Sequence, residues 1–236
     1  MQVIAHRGAS EDAPENTIAA FELAVNQGAD MIETDLHLTA DGQIAIAHDA
    51  EVEGAAIGSL SLAELRARAP SVPTLDEALD AVGERVPWNL ELKCGASADY
   101  EGLEALVLER VRAHGLLEST VFSSFSGSVL RRLREREPRA RIGVLFARRW
   151  PFGLGGRVRA LGAEAIHAPL SFTSGRRVSR WRQSGLGVRV YTVDREADQR
   201  QLIAWGVDGI FTNRPAALRA LLGAAGSSKA LSADER

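Results

Sequence analysis

The stretch "VIAHRGASEDAPENTIAAFELAVNQGADMIETDLH", residues 3–37, holds a short apolar run, a helical pattern and a second short apolar run. The helical pattern has clear limits, because Asn16 or Thr17 offers an N-cap side chain and Gly28 follows its last apolar position. A strand, a helix and a second strand in that order form the unit from which parallel sheets are built. The stretch therefore predicts an α/β protein.

The same alternation continues along the chain, with a helix candidate after each apolar run. Strands are predicted at residues 3–6, 31–37, 88–93, 120–124, 141–146, 163–168, 188–193 and 209–212. Eight strands, seven intervening helical segments and a terminal helix match a (β/α)8 TIM barrel formed by a single domain. An open doubly wound sheet is the alternative, but it more often carries a glycine-rich G-x-G-x-x-G loop after the first strand, and "HRGAS" lacks that pattern.

Composition and the ends of the chain set further limits. Of the 236 residues, 45% are hydrophobic and 25% are charged, which allows a large core. We predict a barrel domain over residues 1–224, and a disordered tail over residues 225–236, because "AGSSKALSADER" is rich in small and polar residues.

Several classes of function are not expected. The formal net charge is −3 and no Lys- or Arg-rich block resembles a nucleic-acid-binding tail, so no nucleic-acid partner is predicted. No apolar run reaches the roughly 18 residues of a membrane span, so no transmembrane segment is predicted and a cytoplasmic location is expected. Cys94 is the only cysteine, which excludes an intrachain disulfide and the Cys-based zinc sites.

Acidic and histidine side chains occur where the second strand should be buried. Strand side chains alternate, so Glu33 and Asp35 lie on one face. Asp41 and Gly42 form a tight-turn signal, after which the chain folds back and brings His48 toward these acids.

The first and third predicted strands end in polar residues as well. His6 and Arg7 follow the first strand, and Glu91 and Lys93 share one face at the end of the third. In a barrel, the carboxyl ends of all strands form one rim, so these side chains and the acids of the second strand are expected at one opening. Lys93 is the only lysine in the predicted folded body.

Three carboxylates at one rim need positive charge nearby. Two unit charges about 4 Å apart repel by about 4 kcal/mol at an effective dielectric constant near 20. Hard oxygen ligands suit Mg²⁺ or Ca²⁺ better than zinc. A divalent cation, two fixed cationic side chains and two imidazoles are suited to phosphoryl chemistry, in which one histidine takes a proton and the other gives one.

These residues lie in segments that resemble the glycerophosphodiester phosphodiesterases. The matching segments are "AHRGAS", "PENTIAAFELAVNQGADMIETDLHLTADGQIAIAHD", "PTLDEAL", "NLELK", "SSF", "VYTVD" and "GVDGIFTNRP", in the order of the family. The resemblance implies a TIM barrel and a place in lipid and glycerol metabolism. It also implies that the chain hydrolyses a small glycerophosphodiester to sn-glycerol 3-phosphate and an alcohol with one divalent cation.

The resemblance also implies a role for each residue of the site. It makes His6 and His48 the general acid and base, Glu33, Asp35 and Glu91 the metal ligands, and Arg7, Lys93 and Tyr191 the groups that bind substrate, with the two cations on the phosphate. Tyr191 stands where the family often has tryptophan, a change that keeps an aromatic wall for glycerol.

The chain departs from the family pattern after the second strand. The segment "AEVEGAAIGSLSLAELRARAPSV" is short and lacks the arginine-threonine pair and the aromatic-bearing insertion that are common there. As a hypothesis, the loop at residues 146–156, "FARRWPFGLGG", replaces the insertion as a lid or as a transient contact with lipid headgroups.

Two other functions remain as alternatives. One is a phospholipase D-like action on lysophospholipids, in which an intramolecular hydroxyl attacks and a cyclic phosphate results. The other is a non-catalytic module that binds headgroups, which ranks last because both histidines and all three acids are present.

Overall fold

The computed structural model describes residues 1–97, 99–147 and 154–233, with side chains described as far as residue 224. The strands in these residues are β1 Gln2–His6, β2 Met31–Leu38, β3 Ile44–Ile46, β4 Glu51–Val52, β5 Ala55–Ala56, β6 Trp88–Leu92, β7 Thr120–Ser124, β8 Arg141–Leu145, β9 Ala165–Pro169, β10 Gly187–Tyr191 and β11 Gly209–Thr212.

Eight of these strands close into a parallel barrel. The order is β1-β11-β10-β9-β8-β7-β6-β2, and β1 pairs in turn with β2, for example Ile4 with Met31. The barrel strands are the eight that the sequence predicts, with ends that differ by at most two residues. The (β/α)8 TIM barrel is therefore confirmed.

Helices follow the strands around the outside of the barrel. They are α1 Ile18–Asn26, α2 Leu62–Arg68, α3 Leu75–Val82, α4 Leu103–Ala113, α5 Gly127–Arg136, α6 Leu154–Leu161, α7 Gly175–Gln183, α8 Glu196–Trp205 and α9 Pro215–Ala233. The sequence patterns did not specify α2, and the two glycines at 155 and 156 give α6 a weak intrinsic helical signal. In the part of the chain that the structure describes, no helix combines the length and the apolar character that crossing a bilayer requires.

The segment after β2 folds back as the sequence predicts. β3 pairs antiparallel with β2, with Leu36 opposite Ile46 and Leu38 opposite Ile44. This pairing ends two residues before His48 and thereby returns that histidine to the carboxyl end of β2. The small β4–β5 hairpin and α2 complete the segment before α3 begins.

Apolar side chains pack on both faces of the barrel sheet. Inside, Ile4, Met31, Val121 and Phe211 form one buried cluster. Ile4 lies two residues before His6, and Met31 lies two residues before Glu33, so each pair faces the same way. The cluster therefore lies on the amino-terminal side of these two polar residues. It closes the barrel interior beneath them. Outside, larger clusters pack the strands against the helices.

The last helix runs from Pro215 to Ala233. Leu218 and Leu221 on this helix are buried in the outer core. The boundary of the domain at residue 224 remains a prediction.

Candidate active site

A cavity of about 230 Å³ opens at the carboxyl ends of the barrel strands. All eight residues that the sequence proposes for the site line it: His6, Arg7, Glu33, Asp35, His48, Glu91, Lys93 and Tyr191. Six further residues complete the described lining: Asn89, Phe125, Leu145, His167, Thr192 and Phe211. The structure therefore brings these eight residues together in one cavity.

The three acids form a buried cluster in this cavity. One oxygen from each of Glu33, Asp35 and Glu91 lies within 4.8 Å of the other two. Burial, followed by the charges of Asp35 and Glu91, raises the pKa of Glu33 well above its ordinary value. Burial also raises the pKa of Glu91 to about 7. Carboxylates that are held together in this way are stabilised by a cation among them.

Lys93 and Arg7 supply part of the positive charge. Lys93 Nζ lies 2.9 Å from Asp35 Oδ1 and 3.0 Å from Glu91 Oε1. Arg7 Nε lies 3.2 Å from Asp35 Oδ2, although its N–H does not point at that oxygen. Burial by itself raises the pKa of Asp35, but Lys93, the amide of Asn16 and Arg7 together bring it below its ordinary value. Burial would lower the pKa of Lys93, and the two carboxylates instead raise it above its usual range.

The donor set fits a hard divalent cation. Three carboxylates and two cationic side chains leave one formal negative charge, and every candidate ligand atom is oxygen. Oxygen ligands and residual negative charge suit Mg²⁺ and Ca²⁺.

The turn after β1 aims Arg7 at this cluster. Arg7 has φ of 59°, a left-handed conformation that is uncommon outside glycine, and its backbone N–H donates to Glu33 Oε2 at 3.1 Å. Gly8 follows with φ of +84°, and a Cβ there would lie 2.6 Å from the backbone of Ala20 in α1. Only glycine therefore fits at position 8.

Asn16 orients one of the acids. Its Nδ2 donates to Asp35 Oδ2 at 3.0 Å, and its Oδ1 accepts from Thr34 Oγ1 at 2.8 Å. The sequence pattern placed Asn16 in the loop and at the start of the helix, but the side chain that caps α1 is that of Thr17. The position of Asn16 within the "PENT" motif was the available signal for its contact with the acid.

Asn213 and Asp194 fix the tautomer of His6. Asn213 Nδ2 donates to Asp194 Oδ2 at 2.7 Å, so its Oδ1 faces His6 Nδ1, which is also 2.7 Å away. Because an amide oxygen only accepts, His6 Nδ1 donates and Nε2 is left as an acceptor. Burial, followed by the charge of Arg7, lowers the pKa of His6, so the neutral ring is favoured.

Sequence patterns alone did not reveal this pair. The run Asn213-Arg214-Pro215 indicates a helix start, and no pattern gives Asp194 a role. Both residues follow the ends of barrel strands, β11 and β10, within the quoted segments "GVDGIFTNRP" and "VYTVD". Their place at the carboxyl rim was the signal that could have identified them.

His48 lies at the opening of the cavity. Its side chain is 39% exposed, and Nδ1 lies 2.8 Å from Asp49 Oδ1. His37 shares the strand face of Glu33 and Asp35, a pattern that predicts a polar residue at the rim, but it is buried, with Nδ1 2.8 Å from the hydroxyl of Tyr100. Burial is the largest cause that lowers the pKa of His37 to about 4. It lies behind His48 and outside the described lining of the cavity.

Aromatic residues form the wall opposite the acids. The ring of Tyr191 contacts those of Phe125 and Phe211 edge to face, and its hydroxyl donates to the backbone oxygen of Phe146 at 2.8 Å. Burial raises the pKa of Tyr191 above its usual range. Phe125, which is 43% exposed, lies at the opening.

The proposed lid loop is described only in part. Phe146 is buried against Phe172, so it does not cover the cavity. Trp150 and Phe152 lie outside the described residues, and the hypothesis about the lid stays a prediction.

Comparison with known proteins points to one family. Residues 6–217 match the glycerophosphoryl diester phosphodiesterase family. A glycerophosphodiester phosphodiesterase of Caldanaerobacter subterraneus subsp. tengcongensis is 31% identical, over 92% of this chain and 95% of the relative. A phosphodiesterase of Oleispira antarctica, solved in complex with the product sn-glycerol-3-phosphate, is 29% identical with a TM-score of 0.83, over 94% of this chain and 97% of that one. A glycerophosphodiester phosphodiesterase of Parabacteroides distasonis is 26% identical with a TM-score of 0.84, over 95% and 98% of the two chains.

Proposed function

The chain belongs to the glycerophosphoryl diester phosphodiesterase family and is an enzyme of that kind, and from this premise we propose that it hydrolyses glycerophosphodiesters to sn-glycerol 3-phosphate and an alcohol. One observation carries the proposal: three acids, two cationic side chains, His6 and His48 line a single cavity. The product complex of the Oleispira antarctica relative supports the choice of product.

Glu33, Asp35 and Glu91 are the residues that would hold one divalent cation, Mg²⁺ or Ca²⁺. When bound, such a cation offsets the negative charge of the phosphodiester and of the transition state. Arg7 and Lys93 hold the phosphate from the side of the acids, where they already line the cavity. The ring of Tyr191 provides an apolar wall for the glycerol carbons.

The two histidines have different partners and therefore different roles. His6 Nε2 is the acceptor, so His6 acts as the general base and takes a proton from the attacking oxygen. Attack by a water gives sn-glycerol 3-phosphate directly, whereas attack by the glycerol 2-hydroxyl gives a cyclic phosphate that a water must then open. His48 donates a proton to the departing alkoxide, and the carboxylate of Asp49, 2.8 Å from His48 Nδ1, orients its ring. Each of these transfers is worth roughly 10² to 10⁴ in rate.

The shape of the cavity sets the direction in which the substrate lies. The buried end holds the three acids, whereas His48 and Phe125 are partly exposed at the opening. A volume of about 230 Å³ accommodates a glycerophosphoryl group, so the variable alcohol extends toward solvent. The general acid then lies on the side of the leaving group.

Product analysis of the purified protein tests this function. With Mg²⁺ or Ca²⁺, glycerophosphocholine should give glycerol 3-phosphate in the ³¹P spectrum, and EDTA should abolish turnover. Accumulation of a cyclic phosphate from lysophosphatidylcholine would instead support the phospholipase D-like alternative.

Histidine variants test the assignment of the acid and the base. His6→Asn and His48→Asn should each lower kcat by at least about 10²-fold. His114→Asn is the matched control, since His114 contacts only Asp76 and Asp80 among the described ion pairs and does not line the cavity. Full activity of the His6 variant would reject its role as the base.

The location of the enzyme in the cell is part of the same proposal. The substrate class belongs to lipid and glycerol metabolism, and the cytoplasmic location expected from the sequence remains a prediction. Cell fractionation with an antibody against the chain tests the location.

A further inference from the structure

His167 lines the cavity but has no part in the mechanism above. It lies on β9, faces the inside of the barrel and is completely buried. From sequence, its position near the end of a strand left open whether it reaches the mouth of the barrel. The structure places it in the cavity wall, with its ring centroid 5.0 Å from that of Phe211.

Arg189 determines which nitrogen of His167 carries the proton. Arg189 Nη1 lies 3.3 Å from His167 Nε2, and the guanidinium is held by Glu164 at 3.1 Å and Gln2 at 3.2 Å. A guanidinium only donates, so Nε2 accepts. Burial, followed by the charge of Arg189, lowers the pKa of His167 well below its ordinary value, so the ring is neutral. The ring proton therefore lies on Nδ1.

That N–H has no hydrogen-bond partner among the described residues. Leaving a buried donor unpaired costs roughly 1 to 3 kcal/mol, and native proteins seldom do so without a reason. Gly143 shows that the ring also needs space, because a Cβ there would lie 2.3 Å from His167 Nε2. A glycine inside a strand often marks such a close approach.

Asn89 presents a complementary atom in the same cavity. Its Nδ2 donates to Ser123 Oγ at 3.0 Å, while its Oδ1 is buried without a partner among the described residues. Both residues line the cavity, and each has one buried, uncharged polar atom without a partner among the described residues. An alcohol hydroxyl can satisfy both kinds of group, whereas a phosphate oxygen can only accept.

We propose that His167 Nδ1 donates a hydrogen bond to a hydroxyl of the bound glycerol moiety, that Asn89 Oδ1 accepts one from it, and that this pair selects glycerol-bearing diesters. The inference rests on the proposed function, because that function puts the small glycerophosphoryl half in the buried end of the cavity. The buried cluster of Ile4, Met31, Val121 and Phe211 closes the barrel beneath that end.

Steady-state kinetics on two diesters test the inference. Glycerophosphoethanolamine carries the glycerol hydroxyls, and bis(4-nitrophenyl) phosphate carries none. His167→Leu should raise KM for the first about 3- to 10-fold, as expected for one lost hydrogen bond, and leave the KM for the second unchanged. In His167→Asn, the side-chain amide can replace the Nδ1 donor, so KM for glycerophosphoethanolamine should return toward the wild-type value. Equal changes with both diesters, or no change with either, would overturn the inference.

A spectroscopic measurement on the wild-type enzyme avoids dependence on variant folding. In ¹⁵N-histidine-labelled, Mg²⁺-loaded protein, His167 should show a protonated Nδ1, and this resonance should shift with glycerol 3-phosphate but not with inorganic phosphate. An Nε2-protonated ring, or equal shifts with both ligands, would contradict the inference. Failure of the wild type to hydrolyse either diester would instead reject the proposed function, and the resonance would still decide the role of His167.

Discussion

A chain of hydrogen bonds that begins at Asp194 determines which ring nitrogen of His6 can accept a proton. That carboxylate accepts from Asn213 Nδ2 and also from Thr212 Oγ1, so it holds the amide in one orientation. A neutral imidazole can carry its proton on either nitrogen, and only one form leaves Nε2 free to accept. These hydrogen bonds therefore fix the tautomer of the general base before substrate binds.

Replacing Asn213 with alanine tests this preparation. The variant should lower kcat by about tenfold or more, a part of the 10² to 10⁴ that a general base contributes, with little change in KM. Ser10→Ala is the matched control, because Ser10 Oγ donates to the same Asn213 oxygen at 2.9 Å and to the backbone oxygen of His6 at 2.8 Å, but makes no described hydrogen bond to the His6 imidazole. Equal losses in the two variants would show that the amide has only a structural role.

The acidic cluster makes the free protein less stable than an uncharged variant. Glu33 has a raised pKa in the folded state, so folding opposes its ionisation, and the destabilisation is present above its unfolded pKa and fades as pH falls toward 4.5. Glu33→Gln should therefore stabilise the EDTA-treated protein by about 1 to 3 kcal/mol at pH 7, and by less at pH 5.

A divalent cation should make the wild type more stable than the Glu33→Gln variant. Mg²⁺ or Ca²⁺ at 100 times Kd should raise the free energy of unfolding of the wild type by about 2.7 kcal/mol. The Glu33→Gln variant should gain little, and scanning calorimetry measures both. Glu109→Gln, an exposed change on α4, should follow the wild type in each condition. Equal stabilisation of both variants by the cation would place the metal elsewhere.

At the scale of elements, the turn between β1 and α1 decides where His6 and Arg7 point. Gly8 is pressed against the backbone of α1. Gly42 in the hairpin turn has a similar φ of +77°, but a Cβ added there would meet no atom of the described residues within 4 Å. The two glycines share a conformation and differ in the space around them.

This difference gives a matched pair of variants. Gly42→Ala should cost about 1 kcal/mol, the usual penalty of a left-handed residue with a side chain. Gly8→Ala must also displace α1, so its cost should exceed that of Gly42→Ala by at least about 1 kcal/mol, with a large loss of activity. Urea denaturation gives both free energies of unfolding. Equal costs would mean that the turn relaxes without moving the helix.

The elements also differ in how far local sequence specified them. The β2–β3 hairpin is confirmed because a tight-turn signal separates two apolar segments. In contrast, α6 carries two adjacent glycines, and its burial of Val158 and Leu161 against the barrel stabilises it despite a poor intrinsic propensity.

At the scale of the whole molecule, closing the barrel brings distant residues together. His6 and Asn213 are 207 positions apart, yet their side chains meet because β1 pairs with β11. The terminal helix packs against β1 at this seam. Stability of the site and attachment of α9 should therefore be linked.

Truncation tests this link and the proposed domain boundary. A chain that ends at residue 224 keeps the buried Leu218 and Leu221 and should retain the wild-type Tm and kcat. A chain that ends at residue 214 loses both leucines, each worth about 1.5 to 3 kcal/mol of burial, and should fail to fold cooperatively. Circular dichroism melts distinguish these results, and a lowered Tm for the 224-residue chain would move the boundary toward the C-terminus.

The sequence by itself determined the barrel and the polar residues of its rim. Strand periodicity fixed which side chains face inward, and the recurring strand–helix rhythm required a common rim, so Glu33, Asp35, Glu91 and the two histidines could be grouped in advance. Only the tertiary structure decided what each group touches. The partners of His6, the orphan N–H of His167 and the burial of His37 under Tyr100 all depend on side chains from other strands and loops. Local periodicity encodes the direction of a side chain along its own strand, but contacts across the barrel arise only when all eight strands have closed.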